Sequence, residues 1–89
     1  MNQYTTMNKI KEQIDALVVF SATDFDSLQE EKMRITDRCI EGIDKMKEAK
    51  VFTDKEVSEI NQYWPSVVNA RYNAAKQDIA NKIRTNFVF

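Results

Sequence analysis

Few residues in this chain have side chains suited to catalysis. Acid–base work near neutral pH most often uses histidine, and the 89 residues contain none. Cys39 is the single thiol. It stands at helical spacing from Ile35 and Ile43, so a buried structural thiol is expected there. A nucleophilic cysteine wants an electropositive, partly exposed setting. Asp26, Glu30 and Glu31 group carboxylates that can hold a cation. They also fall where a helix should begin, and negative charge belongs at that end of the dipole. With one thiol and no imidazole, a zinc site of the usual kind cannot be built within one chain. No glycine-rich phosphate loop is present. The expectation is a protein that is not an enzyme and has no metal and no cofactor.

Recognition chemistry is better represented. Tyr63 and Trp64 sit beside Pro65, the one proline. Aromatic residues of these types concentrate at binding hot spots. Trp64 is also in phase with Val57, Ile60 and Val68, so a core position competes with a partner-binding one. Further along, Asn69, Ala70, Asn73, Ala74, Gln77, Ala80 and Asn81 make one side of the last helix small, polar and nearly uncharged. Small side chains allow a close helix approach, and amides can bond across an interface. A homodimer contact or a partner protein is the expectation for that side. Phe87 and Phe89 form an apolar tail that either folds back or inserts into another protein. Arg71, Lys76, Lys82 and Arg84 can touch phosphates, but helical spacing does not put them on one face. No aromatic ladder interleaves them, as single-strand binders prefer.

The segment Ile10-Lys11-Glu12-Gln13-Ile14-Asp15 resembles the opening of the small helical mutases of the chorismate mutase type. That family binds a dicarboxylate with Arg and Lys. The Arg expected near Lys11 is missing, and the family's later basic motifs have no counterparts here, so the resemblance assigns no family.

The elements that must position these residues are helical. One Gly and one Pro are too few for the turns of a sheet protein. The clearest local signal is Phe52-Thr53-Asp54-Lys55-Glu56-Val57. Thr53 and Glu56 match a capping box, and Phe52 with Val57 matches a hydrophobic staple. The apolar residues Val57, Ile60, Trp64, Val67 and Val68 follow at helical spacing, then Tyr72, Ala75, Ile79 and Ile83. On a helical wheel the two stripes are offset by about 70°. Proline removes a backbone donor and crowds the preceding turn. The reading is therefore two segments, 54–63 and 66–86, broken or kinked at Pro65.

Upstream, residues 1–4 are expected to fray, with Thr5 or Thr6 capping a first helix over 6–20. Met7, Ile10, Ile14 and Leu17 line its apolar side. Thr23 with Asp26 weakly suggests the cap of a second helix over 24–49. Phe25, Leu28, Ile35, Cys39, Ile43 and Met46 share one face, and Met33 and Ile40 widen it beyond the stripe of an ordinary surface helix. Such a face calls for two neighbours. Gly42, at its edge, costs about 1 kcal/mol relative to Ala and suits close approach of another helix or a bend. Glu30–Arg34, Glu41–Lys45 and Asp78–Lys82 have the spacing of helical ion pairs. The short link at 50–53 makes neighbours antiparallel. The fold class is thus all-α: a single domain, a small antiparallel bundle of three to four helices.

Composition bounds the function. Net charge is −1. Up to Trp64 there are nine Lys/Arg against thirteen Asp/Glu; from Pro65 onward Arg71, Lys76, Lys82 and Arg84 face only Asp78. An acidic balance argues against strong nucleic-acid binding. The N-terminus lacks the pattern of a signal peptide, and no apolar run approaches a membrane span of about 20 residues. With a lone thiol this points to the cytoplasm and away from the membrane. The sequence-level expectation is a small protein that binds another protein as inhibitor, adaptor or regulator. Its nine Lys against four Arg, with seven Asn and eight Ile, imply AT-rich coding. That suits a phage or mobile-element product acting on a host or defence system. A protein that binds nucleic acid or a nucleotide ligand through the basic C-terminal helix is the alternative, and a mutase-like enzyme a distant third.

Overall fold

In a computed structural model, residues 3–87 are described, with side chains from Met7 onward. They form three helices and no strand: α1 (Gln3–Leu17), α2 (Phe25–Ala49) and α3 (Asp54–Asn86).

α3 starts as its sequence dictates. The Thr53 hydroxyl accepts from the Glu56 N–H at 3.1 Å, and the Glu56 carboxylate accepts from the Thr53 N–H at 2.8 Å. Both halves of the capping box are made. Phe52 and Val57 are half-buried against the core, as a staple requires.

The expected break at Pro65 is absent. α3 runs unbroken for 33 residues, in place of segments 54–63 and 66–86. Proline deprives the Asn61 carbonyl of its N–H partner, but Asn61 is exposed, so water can satisfy that carbonyl. The offset between the apolar stripes marks a change of neighbour. Residues 57–68 of α3 face both other helices. α1 ends at Leu17, and beyond Tyr72 α2 and the α1–α2 connection are alongside.

The packing order follows from specific pairs. Lys11 lies 3.7 Å from Glu59, and Tyr63 and Arg71 both reach Asp15. These pairs advance in the same sense, so α1 runs parallel to α3. The Lys32 ammonium sits 4.3 Å over the Tyr72 ring, which with the short 50–53 link makes α2 antiparallel to α3. The three helices thus run up, down and up, with sequential neighbours antiparallel as expected. The core gathers Met7, Ile14, Val18, Ile35, Cys39, Ile43, Met46, Ile60 and Val68 between the three helices. Leu28 and Ile79 are buried at the far end of the α2–α3 pair. α3 then projects past the start of α2, and residues 81–87 are all exposed.

α1 differs from expectation at both ends. It begins at Gln3, so Thr5 and Thr6 lie inside it, and it stops at Leu17 instead of reaching residue 20. The all-round apolar run explains the early stop. Val18 is fully buried, while Phe20 turns to meet Tyr72 edge-on, with ring centroids 5.9 Å apart. A continuing helix cannot serve both directions. α2 starts one residue from its expected place. Its cap is Asp24, which accepts from the Ser27 N–H at 2.8 Å, and not Thr23. The Ser27 N–H and hydroxyl hold the Asp24 carboxyl below its ordinary pKa. α2 ends on Lys50 at φ 56, a left-handed position usually given to glycine.

Among the described residues, ion pairs within 4.0 Å are Lys11–Glu59 and Arg71–Asp15. Glu30–Arg34, Glu41–Lys45 and Asp78–Lys82 are not closed. Exposed pairs on long side chains gain little over water.

Candidate functional site

Two side chains that sequence analysis assigned to partners or ligands, Tyr63 and Arg71, take part in the fold itself. The Tyr63 hydroxyl donates to Asp15 Oδ1 at 2.8 Å. That bond to a carboxylate, with some desolvation, raises the phenol's pKa. The Arg71 guanidinium reaches across to the end of α1. Its Nη1 donates to the Asp15 and Val18 carbonyls, the latter at 2.8 Å. Last-turn carbonyls lack helical partners, and a cation suits the negative end of the dipole. Arg71 therefore caps the end of α1. Ser66 Oγ donates to the Tyr63 carbonyl at 2.7 Å.

Lys76, Lys82 and Arg84 are exposed, the last two on the projecting end of α3. Asn69, Ala70, Asn73, Ala74, Gln77 and Asn81 are likewise exposed, and Ala80 is half-buried. Ala74 and Ala75 border a shallow depression with Val18, Val19, Phe20, Arg71 and Asp78. Phe87 is 73% exposed, so at that residue the tail does not fold back. Phe89 lies outside the described residues.

The connection between α1 and α2 is held by a residue that sequence reasoning assigned to a solvated first turn. Glu31 accepts from the Ala22 N–H at 2.8 Å, the Ser21 N–H at 3.1 Å and the Ser21 hydroxyl at 2.9 Å. Desolvation pushes its pKa up, but the bonds from Ala22 and Ser21 outweigh it and hold the carboxyl below its ordinary value.

α1 and α2 both rest on α3 but make little contact with each other. Between them runs an apolar groove of about 360 Å³. Ile10, Ile14 and Leu17 form one wall; Cys39, Ile43 and Met46 form the other; Phe52, Ile60 and Trp64 lie beneath. Trp64 thus packs on the core and also faces the groove, with its Nε1 donating to Asn61 Oδ1 at 3.2 Å. A second depression of about 200 Å³ continues the groove towards Val19, Arg34 and Ile35. Gly42 lines the main stretch, and a Cβ built there would meet nothing within 4 Å. Its close-approach value is used by no part of the described chain.

Burial raises the pKa of Cys39, which disfavours the thiolate. Among the described residues no three potential ligands gather to hold a metal ion. No helix among them is long and apolar enough to cross a membrane.

Sequence periodicity found the residues of both walls but read them all as core. The groove arises because α3 holds α1 and α2 apart, and no local pattern encodes that spacing. The one available signal was Gly42 at the edge of the apolar face. No protein-family model matches the chain, and no match is found among curated proteins or solved structures.

Proposed function

We propose that this chain is a small non-catalytic binding protein, an inhibitor, adaptor or regulator, that docks a helix of a larger protein between α1 and α2. The observation that carries the reading is the open apolar groove with a glycine in its wall. A groove of that shape takes an amphipathic helix laid in by its apolar side. Ile10, Leu17, Phe52 and Trp64 are half-buried along it, above the buried side chains of Ile14, Cys39, Ile43, Met46 and Ile60. The lysine- and asparagine-rich composition suits a phage or mobile-element product directed at a host or defence protein.

The alternative use of Arg71, Lys76, Lys82 and Arg84 for nucleic acid is weakened by the commitment of Arg71 to the end of α1. The outer side of α3, around Asn69, Ala70, Asn73, Ala74 and Gln77, is a separate surface for a homodimer or partner. Two substitutions discriminate the two surfaces. Gly42→Leu puts a side chain into the groove from a position where a Cβ meets nothing within 4 Å, and Ala74→Glu charges the outer side of α3. Both variants and the parent are used as bait in cell extract. The reading expects one stoichiometric protein to be retained by the parent and by Ala74→Glu, and lost with Gly42→Leu. Retention by Gly42→Leu with loss on Ala74→Glu moves the contact to α3 and ends the groove reading.

A further inference from the structure

Charge along the groove narrows what it accepts, given that it is a docking site at all. The charged residues lining the main stretch are Arg38 and Lys45, and no carboxylate lines it. Arg34 joins them where the groove continues. The spacing of Arg34, Arg38 and Lys45 sets them along one edge of α2. None of the three is in an ion pair within 4.0 Å among the described residues. The carboxylate that does line the continuation, Glu31, is occupied by Ser21 and Ala22.

From Met46 to Ile35 the α2 wall spans about 16 Å at 1.5 Å per residue, which is about three turns of a docked helix. We propose that the groove takes a short amphipathic helix of another protein, with apolar residues at i, i+4 and i+7 and Asp or Glu along the edge that meets Arg34, Arg38 and Lys45.

A second copy of this chain is a poorer occupant. The projecting end of α3 offers Ile83 and Phe87, but Lys82 and Arg84 accompany them and repel the same cations. α2 does present an acidic apolar strip. Met33 is 63% exposed and Ile40 46%, with Asp37 and Asp44 one turn further on. By helical spacing that strip is on the opposite side of α2 from the groove. Copies docked this way would add head to tail and would not close as a two-fold pair.

The test uses the full chain and two alanine-based peptides of about 14 residues. Both carry Leu at i, i+4 and i+7; one has Glu on the flank and the other has Lys. Trp64, the one tryptophan, faces the groove and reports occupancy by its fluorescence, with calorimetry as a second readout. The Glu peptide is expected to bind, more weakly as salt rises, and the Lys peptide to bind at least about tenfold more weakly. Arg38→Glu combined with Lys45→Glu is expected to reverse that preference, with circular dichroism checking that the variant stays helical. Equal binding of both peptides, or preference for Lys, overturns the charge assignment but leaves the groove as a docking site. Binding of neither overturns both readings. A Trp64 signal that changes with protein concentration alone, with growing mass in sedimentation, overturns the assignment in favour of self-association.

Discussion

Replacing Glu31 should loosen the connection that closes one end of the groove, and the structure sets the size of the effect. Its carboxylate accepts from two backbone N–H groups and one hydroxyl. A hydrogen bond to a charged group contributes about 1.5–3 kcal/mol. Here water competes, because Ser21 is exposed and Ala22 and Glu31 only half-buried, so simple addition overstates the total. Glu31→Ala is expected to cost about 2 kcal/mol. Glu31→Gln keeps one oxygen for the N–H groups and turns the other position into a donor, which the Ser21 hydroxyl can accept. About half the cost, ~1 kcal/mol, is expected for that variant. In a domain of this size these losses lower Tm by about 10 °C and about 5 °C, read by circular dichroism.

Proton linkage adds an internal control. The folded-state pKa of Glu31 lies below its ordinary value. Its contribution is therefore complete above the unfolded pKa and is lost as pH falls through the folded one. The gap between parent and Glu31→Gln should shrink as pH falls from the ordinary carboxylate range through the lower folded-state pKa, because the parent then also carries a neutral side chain. A Gln variant melting with the parent at neutral pH would refute the argument. So would a gap that stays constant into acid.

Two further substitutions test the account of α3. Pro65→Ala restores an N–H donor to the Asn61 carbonyl inside a continuous helix; a gain of about 1 kcal/mol or more is expected, and a lower Tm would show that the ring is needed where it is. Thr53→Ala should cost about 1 kcal/mol, and adding Glu56→Ala should cost little more, since the two side chains act as one box; additive losses in a double-mutant cycle would contradict that.

Elements with a local cause were legible in the chain. The capping box at Thr53 and Glu56, the staple at Phe52 and Val57, and the apolar faces of Met7–Leu17 and Leu28–Met46 each depend on residues within a turn or two. Those interactions form wherever the segment goes. Legibility failed where a local rule met a distant partner. Pro65 reads as a break, yet the exposed Asn61 carbonyl tolerates the lost bond, and packing on two helices keeps α3 whole. The run Leu17-Val18-Val19-Phe20 reads as helix, yet burial of Val18 and the contact of Phe20 with Tyr72 pull it apart.

The candidate site divides the same way. Composition and spacing determined that the protein is built of helices with apolar sides and lacks the histidines and thiol sets of common catalysis, because both properties are carried by residue type and period alone. Only tertiary packing decided that Tyr63 and Arg71 are tied to the end of α1, 48 and 56 residues away from their Asp15 partner. It also decided that α1 and α2 stand apart over Trp64. A groove is the space left between elements, set by how far a third helix spreads the other two, and that distance is written in no single segment.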